Sequence, residues 1–414
     1  MKIKSVTLTH FRGIQEMTLS LSPTMNVLAG VNGAGKSSIL NAVTILLSRI
    51  PPRLRMPNGG GSGWRQITEL DIQNESSKAT LTMQALYQDV VYEWSIIKSR
   101  AGTRKQEKSN LNGATKLAQE ILKRDQLQST PLLAFYPIER NVLDVPLRIR
   151  KTHTFRVLDA YEDSLSSGAN FRTFFEWFRE REDYENEQYR DRSDYVDGQL
   201  TAVRQAIESF TGFSNMRVKR NPLRMELIKA GKTYDIRQLS DGEKCLLALI
   251  GDLARRLAIA NPHMDNALHG EGVVLIDEID MHLHPLWQRG IISKLGDVFP
   301  NCQFIISTHS PHILNHVQPE HIFLLTDTPQ GISCAQPSES YGKNVDRLLE
   351  DLMGLEQTRP TAVAHSLHHL FKTIQQGNIK EAQHLITNLT DEIGDDPELV
   401  KAEVLMKRME LIQK

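Results

Sequence analysis

The chain has 414 residues, 40% hydrophobic and 24% charged, and its 49 basic and 50 acidic side chains leave a formal net charge of −1. This composition excludes a collagen-like, intrinsically disordered or disulfide-scaffold protein, and at roughly 100 to 200 residues per domain the length allows two or three folding units. A charge this balanced confines any nucleic-acid contact to local patches.

Residues 2–8 and 25–30 read as strands, the second running through a glycine-rich turn into residues 37–50, which are apolar at helical spacing. The stretch PPRLRMPNGGGSGW is expected to be an exposed loop. ATLTMQALY and VVYEWSII alternate as an antiparallel hairpin, a polar and basic excursion covers Lys98 to Lys108, and LLAFY is a buried strand stopped by Pro137. From Phe155 to Phe210 the pattern is helical, with an aromatic stripe at Phe171, Phe174, Phe175 and Phe178 suited to a core or a subunit contact. The α/β frame returns at MELIKAGKTYDI. VVLIDEI, CQFIIST and HIFLL follow as short β-branched runs typical of a buried parallel sheet. From Tyr341 onward only helices are expected, with breaks at Gly377 and Gly394. The fold expected is an α/β head with a helical insertion and an all-helical C-terminal unit, divided as 1–154, 155–211, 212–340 and 341–414.

Cys245, Cys302 and Cys334 lie far apart without a C-x-x-C pair, which points to a reducing compartment and away from a structural zinc site. The first residues lack the apolar core of a signal peptide, and no run of about 18 apolar residues occurs. A cytoplasmic protein with no membrane partner is expected.

The strongest chemical signal is Gly30-Val31-Asn32-Gly33-Ala34-Gly35-Lys36-Ser37, followed by Ser38, which fits G-x-x-x-x-G-K-S between a strand and a helix. The glycines let backbone N–H groups curl around phosphates, the helix N-terminus adds partial positive charge, Lys36 reaches the β and γ phosphates of ATP, and the Ser37 hydroxyl suits Mg²⁺. In VVLI-Asp277-Glu278 four apolar residues deliver two adjacent carboxylates, Asp277 for the magnesium and Glu278 to polarise a water. Between these two motifs, Leu239-Ser240-Asp241-Gly242-Glu243-Lys244 opens an apolar-periodic helix whose start can form a second anion site and, taken alone, reads as an ordinary N-cap.

The order of these three motifs resembles the ATP-binding-cassette ATPases, whose LSGGQ signature Leu239 to Lys244 echoes. The resemblance implies that His309, in Thr308-His309-Ser310, is a switch histidine at the γ phosphate. It is closer to the RecF, SMC and OLD branch. His10-Phe11-Arg12-Gly13-Ile14 is similar to the N-terminal element of that branch, and Asp277 to Pro285 to its DEPDxHLHP stretch, with Ile279 in place of proline. It implies a nucleotide held between Lys36 of one copy and Ser240 of another, a homodimer or higher homo-oligomer, Arg12 as a nucleotide contact and Asp280 as a dimer-facing residue. The branch's magnesium-sensing glutamine has no counterpart here: Gln66 and Gln73 follow a loop, and LLAFY leads into Pro137-Ile138-Glu139-Arg140-Asn141. A long coiled-coil arm and a TOPRIM nuclease are also missing from the sequence.

FYPIERNVLDVPLRIR, NFRTFFEWFREREDYENE and the tail after SYGKNVDRLLEDLMG resemble the PtuA ATPases of Septu and retron antiphage systems. That resemblance implies a separate HNH nuclease as partner and, for retron members, a reverse transcriptase with its RNA–DNA product. A RecF-like clamp on DNA is the alternative reading, and an ATPase subunit of a transporter a third. Basic clusters at Lys98 to Lys108, at Arg148, Arg150 and Lys151, and at Arg217 to Arg224 are phosphate-binding candidates that also fit a solvated surface. His365, His368 and His369 share a helical face without a carboxylate or cysteine in register for metal. GNIKEAQHLITNL resembles half a helical repeat.

Overall fold

The computed structural model describes residues 1–56, 65–103, 107–123, 129–138, 156–166, 168–355 and 357–412. The strands are β1 Lys2–Phe11, β2 Ile14–Ser20, β3 Met25–Ala29, β4 Lys78–Tyr87, β5 Val90–Ser99, β6 Leu132–Tyr136, β7 Ser214–Arg220, β8 Leu223–Lys229, β9 Lys232–Asp235, β10 Gly272–Ile276, β11 Cys302–Thr308, β12 Ile322–Thr328 and β13 Gly331–Ala335. The helices are α1 Lys36–Leu47, α2 Pro51–Arg55, α3 Asn112–Lys123, α4 Phe171–Asp191, α5 Gly198–Thr211, α6 Asp241–Ala260, α7 Pro285–Val298, α8 Pro311–Leu314, α9 Val345–Met353, α10 Thr361–Gln375, α11 Ile379–Ile393 and α12 Pro397–Ile412. Two compact units result, Met1–Val345 and Asp346–Lys414.

In the first unit β6, β10, β11, β3 and β12 pair in parallel, and β13 closes one edge antiparallel. Every residue of β3, β6, β10 and β11 is buried, which is why these strands read as continuous apolar runs. A second, antiparallel sheet runs β2-β1-β4-β5, and β4 alternates strictly between buried and half-buried positions because one face alone meets the core. Helix α1 touches β4 of this sheet and β10 and β11 of the other, so it is apolar nearly all round, and the Trp94 indole donates to the Leu46 carbonyl at 3.1 Å.

The sequence-based expectation fails at three places. MELIKAGKTYDI does not rejoin the parallel sheet: β7, β8 and β9 form a separate three-stranded antiparallel sheet. The start of PPRLRMPNGGGSGW is the short helix α2, whose prolines occupy N1 and N2, where their missing N–H is harmless, and whose Leu54 is buried. The remainder of that stretch, residues 57–64, lies outside the described residues, as do Arg104, Lys105, Arg148, Arg150 and Lys151 of the basic clusters. Strand β2 adds a partner to β1 that the patterning of residues 14–20 hides, since Gln15 and Glu16 interrupt the alternation.

Helix α6 is almost entirely buried, against β6, α4 and α5. The aromatic stripe of α4 lies in this core, with Phe174, Phe175 and Phe178 fully inaccessible. Gly251 makes room for it, because a Cβ there would stand 3.0 Å from the Phe174 ring. Burying rings of this size stabilises by about 1.5–3 kcal/mol each. Helix α6 also carries Asp252, Arg255 and Arg256 into the interior, where Asp252 accepts from Arg255 at 2.7 Å, from Arg256 at 2.7 Å and from the Tyr136 hydroxyl at 3.1 Å. Arg256 donates further to the carbonyls of Ala160 and Glu162, each at 2.8 Å. Burial alone raises the Asp252 pKa, but Arg256 and Arg255 reverse that and hold it below the ordinary carboxylate value. Asp252→Ala leaves two buried guanidinium groups without their shared anion and is expected to lower unfolding stability by about 3–5 kcal/mol, read as a shift in the urea midpoint. Because the folded-state pKa is depressed, the contribution stands above the ordinary carboxylate range and is lost as pH falls below it. An unchanged midpoint in Asp252→Ala overturns this role.

In the second unit, α10, α11 and α12 share a core of Leu367, Leu370, Ile374, Ala382, Ile386, Leu389, Leu399, Ala402 and Met406. His365, His368 and His369 are exposed on α10, and no metal-holding cluster occurs among the described residues. Among those residues no helix is long and apolar enough to cross a membrane.

Candidate active site

The phosphate loop follows β3. Gly30, Gly33 and Gly35 have φ of 142°, 83° and 93°, a region that side chains strain to reach. At Gly30 a Cβ would fall 2.4 Å from the Leu325 carbonyl oxygen, and at Gly35 2.6 Å from Ile332, so β12 and β13 press on the loop from behind and only glycine fits. Asn32 is exposed on the loop and Ala34 buried beneath it. Ser37 and Ser38 stand half-buried in the first turn of α1, and Asn41 ties that turn by donating to the Ser37 carbonyl at 2.7 Å.

Lys36 is buried. Its ammonium donates to the carbonyls of Gly30 at 2.8 Å and Val31 at 2.9 Å and lies 3.4 Å from His309 Nδ1. Burial draws its pKa below the ordinary lysine value, and the negative charges of Glu278, Asp277 and Asp280 oppose the fall. His309 faces Glu278 from its other ring nitrogen at 3.5 Å, so one imidazole bridges the lysine and the carboxylate.

Asp277 and Glu278 follow β10, whose neighbours β6 and β11 fix both. The Asp277 N–H donates to the Tyr136 carbonyl at 2.8 Å. Ser307, fully buried on β11, donates its hydroxyl to Asp277 and accepts from the Glu278 N–H at 2.7 Å. Asp280 accepts from Thr308 at 2.6 Å. Glu278 has φ of 46° and His282 of 62°, and His10 and Arg12 on the opposite edge have 52° each. Each such residue costs about 1–2 kcal/mol, a cost that the surrounding contacts must offset.

Arg12 sits in the β1–β2 turn and donates to Asp71 at 2.9 Å and to the Ser38 hydroxyl at 3.4 Å, which places it on the first turn of α1. Burial raises the Asp71 pKa, but hydrogen bonds from the Thr68 N–H and hydroxyl and from Arg12 bring it below the ordinary value, keeping the anion that anchors the arginine. Gln73 is held by His10, 3.0 Å from its Nδ1, and Gln66 is exposed. Strand β6, one of the two that flank β10, ends at Tyr136, and Pro137 and not a glutamine follows.

The structure therefore gathers Lys36, Asp277, Glu278, Asp280 and His309 and leaves Ser240 outside that group. Ser240 caps α6 in a capping box: its hydroxyl and N–H each donate to Glu243 at 2.9 Å, and Lys229 pairs with the same carboxylate. Gly242 lies against the loop after Glu278, where a Cβ would come within 2.2 Å of the His282 carbonyl oxygen. The serine is exposed and faces no nucleotide residue of its own chain that it bonds to in the described structure. Sequence reasoning missed Ser307, Thr308 and Asp71. The only signal for the first two is polar residues ending an otherwise apolar strand beside His309.

The described arginines of the basic clusters are engaged internally. Arg100 donates to the carbonyls of Ile72, Gln73 and Ser76, while Arg217 and Arg224 pair with Glu226 and Arg220 pairs with Glu182 and Asp183.

Two family models match this chain. One, described as an AAA domain, covers residues 5–212, and the other, described as AAA domain, putative AbiEii toxin, Type IV TA system, covers residues 134–315. The chain belongs to the AAA-domain family. It is 29% identical over 419 residues to the retron Vc95 probable ATPase of Vibrio cholerae serotype O1 biovar El Tor, spanning 88% of this chain and 80% of that protein. It is 23% identical to the Septu protein PtuA of Bacillus thuringiensis, spanning 91% and 90%. Among solved structures, the SMC head domain from Thermotoga maritima aligns over 82% of this chain and 100% of that one, with 14% identity and a TM-score of 0.47.

Gly242→Ala forces the start of α6 away from the His282 loop. It is expected to lower ATP turnover by roughly tenfold or more, about 1.4 kcal/mol in the barrier, while binding of a fluorescent ATP analogue changes by less than about twofold. Full turnover in this variant shows that the contact has no part in the site.

Proposed function

We propose that this protein is an Mg²⁺-dependent ATPase of an antiphage defence system, one that closes as a dimer around nucleotide and so regulates a separate nuclease. The observation carrying this reading is the meeting of Lys36, Asp277, Glu278 and His309 at the carboxyl ends of three neighbouring parallel strands, β3, β10 and β11. The site suits a metal nucleotide: the positive φ of Gly30, Gly33 and Gly35 curls the loop as an anion cradle requires, and the hard oxygens of Ser37 and Asp277 match Mg²⁺. When bound, Mg²⁺ neutralises charge on the β and γ phosphate oxygens.

The chain's own residues do the rest. The backbone from Gly33 to Ser38 donates to phosphate oxygens at the amino end of α1. The Lys36 ammonium leaves the carbonyls of Gly30 and Val31 for the β and γ phosphates, and Arg12 adds a contact beside Ser38. Glu278 accepts a hydrogen bond from the attacking water, and His309, between Lys36 and Glu278, holds the γ phosphate. Ser240 and Gly242 of a second copy supply the closing donors, for which the exposed serine on a helix start is suited. Similarity to a retron ATPase and to a Septu PtuA supports the defence role. An HNH nuclease and a reverse transcriptase with RNA–DNA are the partners that the resemblance of the sequence implies. The pairing of the described arginines with acids and carbonyls favours this reading over a DNA clamp.

Lys36→Ala is expected to weaken ATP binding by roughly 100-fold, the weight of about 3 kcal/mol in charge-assisted contacts. Glu278→Gln is expected to keep ATP affinity, slow turnover by about 100-fold or more, and accumulate an ATP-bound dimer in light scattering. Unchanged turnover in Glu278→Gln removes its assigned role, and an active ATPase that stays monomeric throughout removes the closing mechanism. Coexpression with an HNH protein encoded beside it is expected to copurify both, and its failure removes that partner.

A further inference from the structure

We infer that α12 is a self-association surface that pairs side by side, in parallel, with α12 of a second copy. The helix is apolar on two opposite faces. Leu399, Ala402 and Met406 are buried in the core of the second unit. On the other side Val400, Val404 and Leu411 are 60%, 62% and 76% exposed, although three large aliphatic side chains in one line are costly to hold in water. At about 3.6 residues per turn, positions 400, 404, 407 and 411 fall within an arc of roughly 60°, and their spacing of four, three and four is that of a coiled-coil seam.

The charges beside the seam select both the occupant and its direction. Lys401 and Arg408 flank one side and Glu403 and Glu410 the other, all exposed. In a parallel pair each seam-flanking residue faces the opposite flank of the partner five positions on, so Glu403 of each copy meets Arg408 of the other. An antiparallel pair would instead bring Lys401 against Arg408 and Glu403 against Glu410, two like-charge contacts. Lys407 lies in the seam itself. Its stem runs along the aliphatic surface with the ammonium in water, which weakens the contact while favouring two strands. The surface is therefore self-complementary, as a two-fold contact requires. At two heptads it is weak alone and adds to association made elsewhere. It uses no residue of the nucleotide site.

The test uses the full chain without nucleotide. Val404→Cys, treated with a short bis-maleimide, is expected to give covalent dimer several-fold above Gln383→Cys, an exposed position on α11, with the native chain as blank for Cys334. Adding Glu403→Lys, or adding Arg408→Glu, is expected to lower the yield by roughly fivefold, the scale of two exposed ion pairs turned repulsive. Mixing those two variants restores it, because each mixed pair again faces lysine to glutamate and glutamate to arginine. Circular dichroism of each variant checks that the helices persist. Cross-linking at 404 no better than at 383 overturns the proposal, and so does a mixture that fails to recover, since a role within one chain gives no rescue between chains.

Discussion

The cleft depends on how one buried ammonium is neutralised. Lys36 is drawn out of water at the head of α1, and its positive charge is balanced by two loop carbonyls, by the imidazole of His309 and, at longer range, by the carboxylates beyond β10. A lone charge in that position would be prohibitive. The balance requires the ends of β3, β10 and β11 to be level, and the parallel register delivers this, pairing Ile276 with Ile306 and Thr308 with Ala29. Ser307 then locks the arrangement, because a single hydroxyl engages both Asp277 and the backbone of Glu278. The catalytic carboxylate proposed here is consequently aimed by a neighbouring strand and not by its own loop alone.

A second constraint runs through α6. One end of the helix presents Ser240 and Gly242 to solvent and to the His282 loop, and its middle carries the Asp252, Arg255 and Arg256 cluster that meets Tyr136, the last residue of β6. The backbone of Tyr136 in turn receives the Asp277 N–H. The helix that begins with the signature is thus joined to the acidic strand end by a rigid, fully buried chain of contacts. Fixing the start and the middle of α6 in one head holds Ser240 at a defined place on the surface, which the proposed site completed by another copy would need, since preorganised donors cost nothing to reorganise at the moment of reaction.

Much of this was legible in the linear sequence, and the reason is local geometry. The phosphate loop is written in contiguous residues because a tight anion cradle uses consecutive N–H groups, and β10 and β11 are visible because full burial makes every position apolar. The long amphipathic stretches of α4 and α6 and the helices of the tail are read from periodicity alone. What the sequence hides are partners distant along the chain. Ser307 lies 30 residues from Asp277, and Asp71 lies 59 from Arg12. Neither carries a spacing that marks it. The small sheet of β7, β8 and β9 looks like any other alternating segment, and only tertiary pairing separates it from the main sheet. Likewise the arginines of β7 and β8 look like a phosphate-binding patch until Glu226 on β8 and Glu182 and Asp183 on α4 are in view.

The polar groups of the cleft bond one another, and that bears on how a ligand would act. Lys36 has its carbonyl acceptors, Glu278 and His309 face each other, and the Ser240 hydroxyl is held by Glu243. Binding therefore exchanges existing contacts for new ones and does not simply add them, so its net free energy is smaller than the sum of phosphate contacts suggests. Two exchanges are separable. Freeing Lys36 and His309 concerns the cradle of one copy, whereas freeing Ser240 concerns the face that the proposed dimer would offer to another. In the proposed dimer, a nucleotide that satisfied the first without reaching the second would leave the chain loaded but open, and only a γ phosphate met from both sides would repay the rearrangement at Ser240. The strained backbone at Glu278 and His282 lies in the loop that follows β10, and Gly242 packs against that same loop beside the His282 carbonyl.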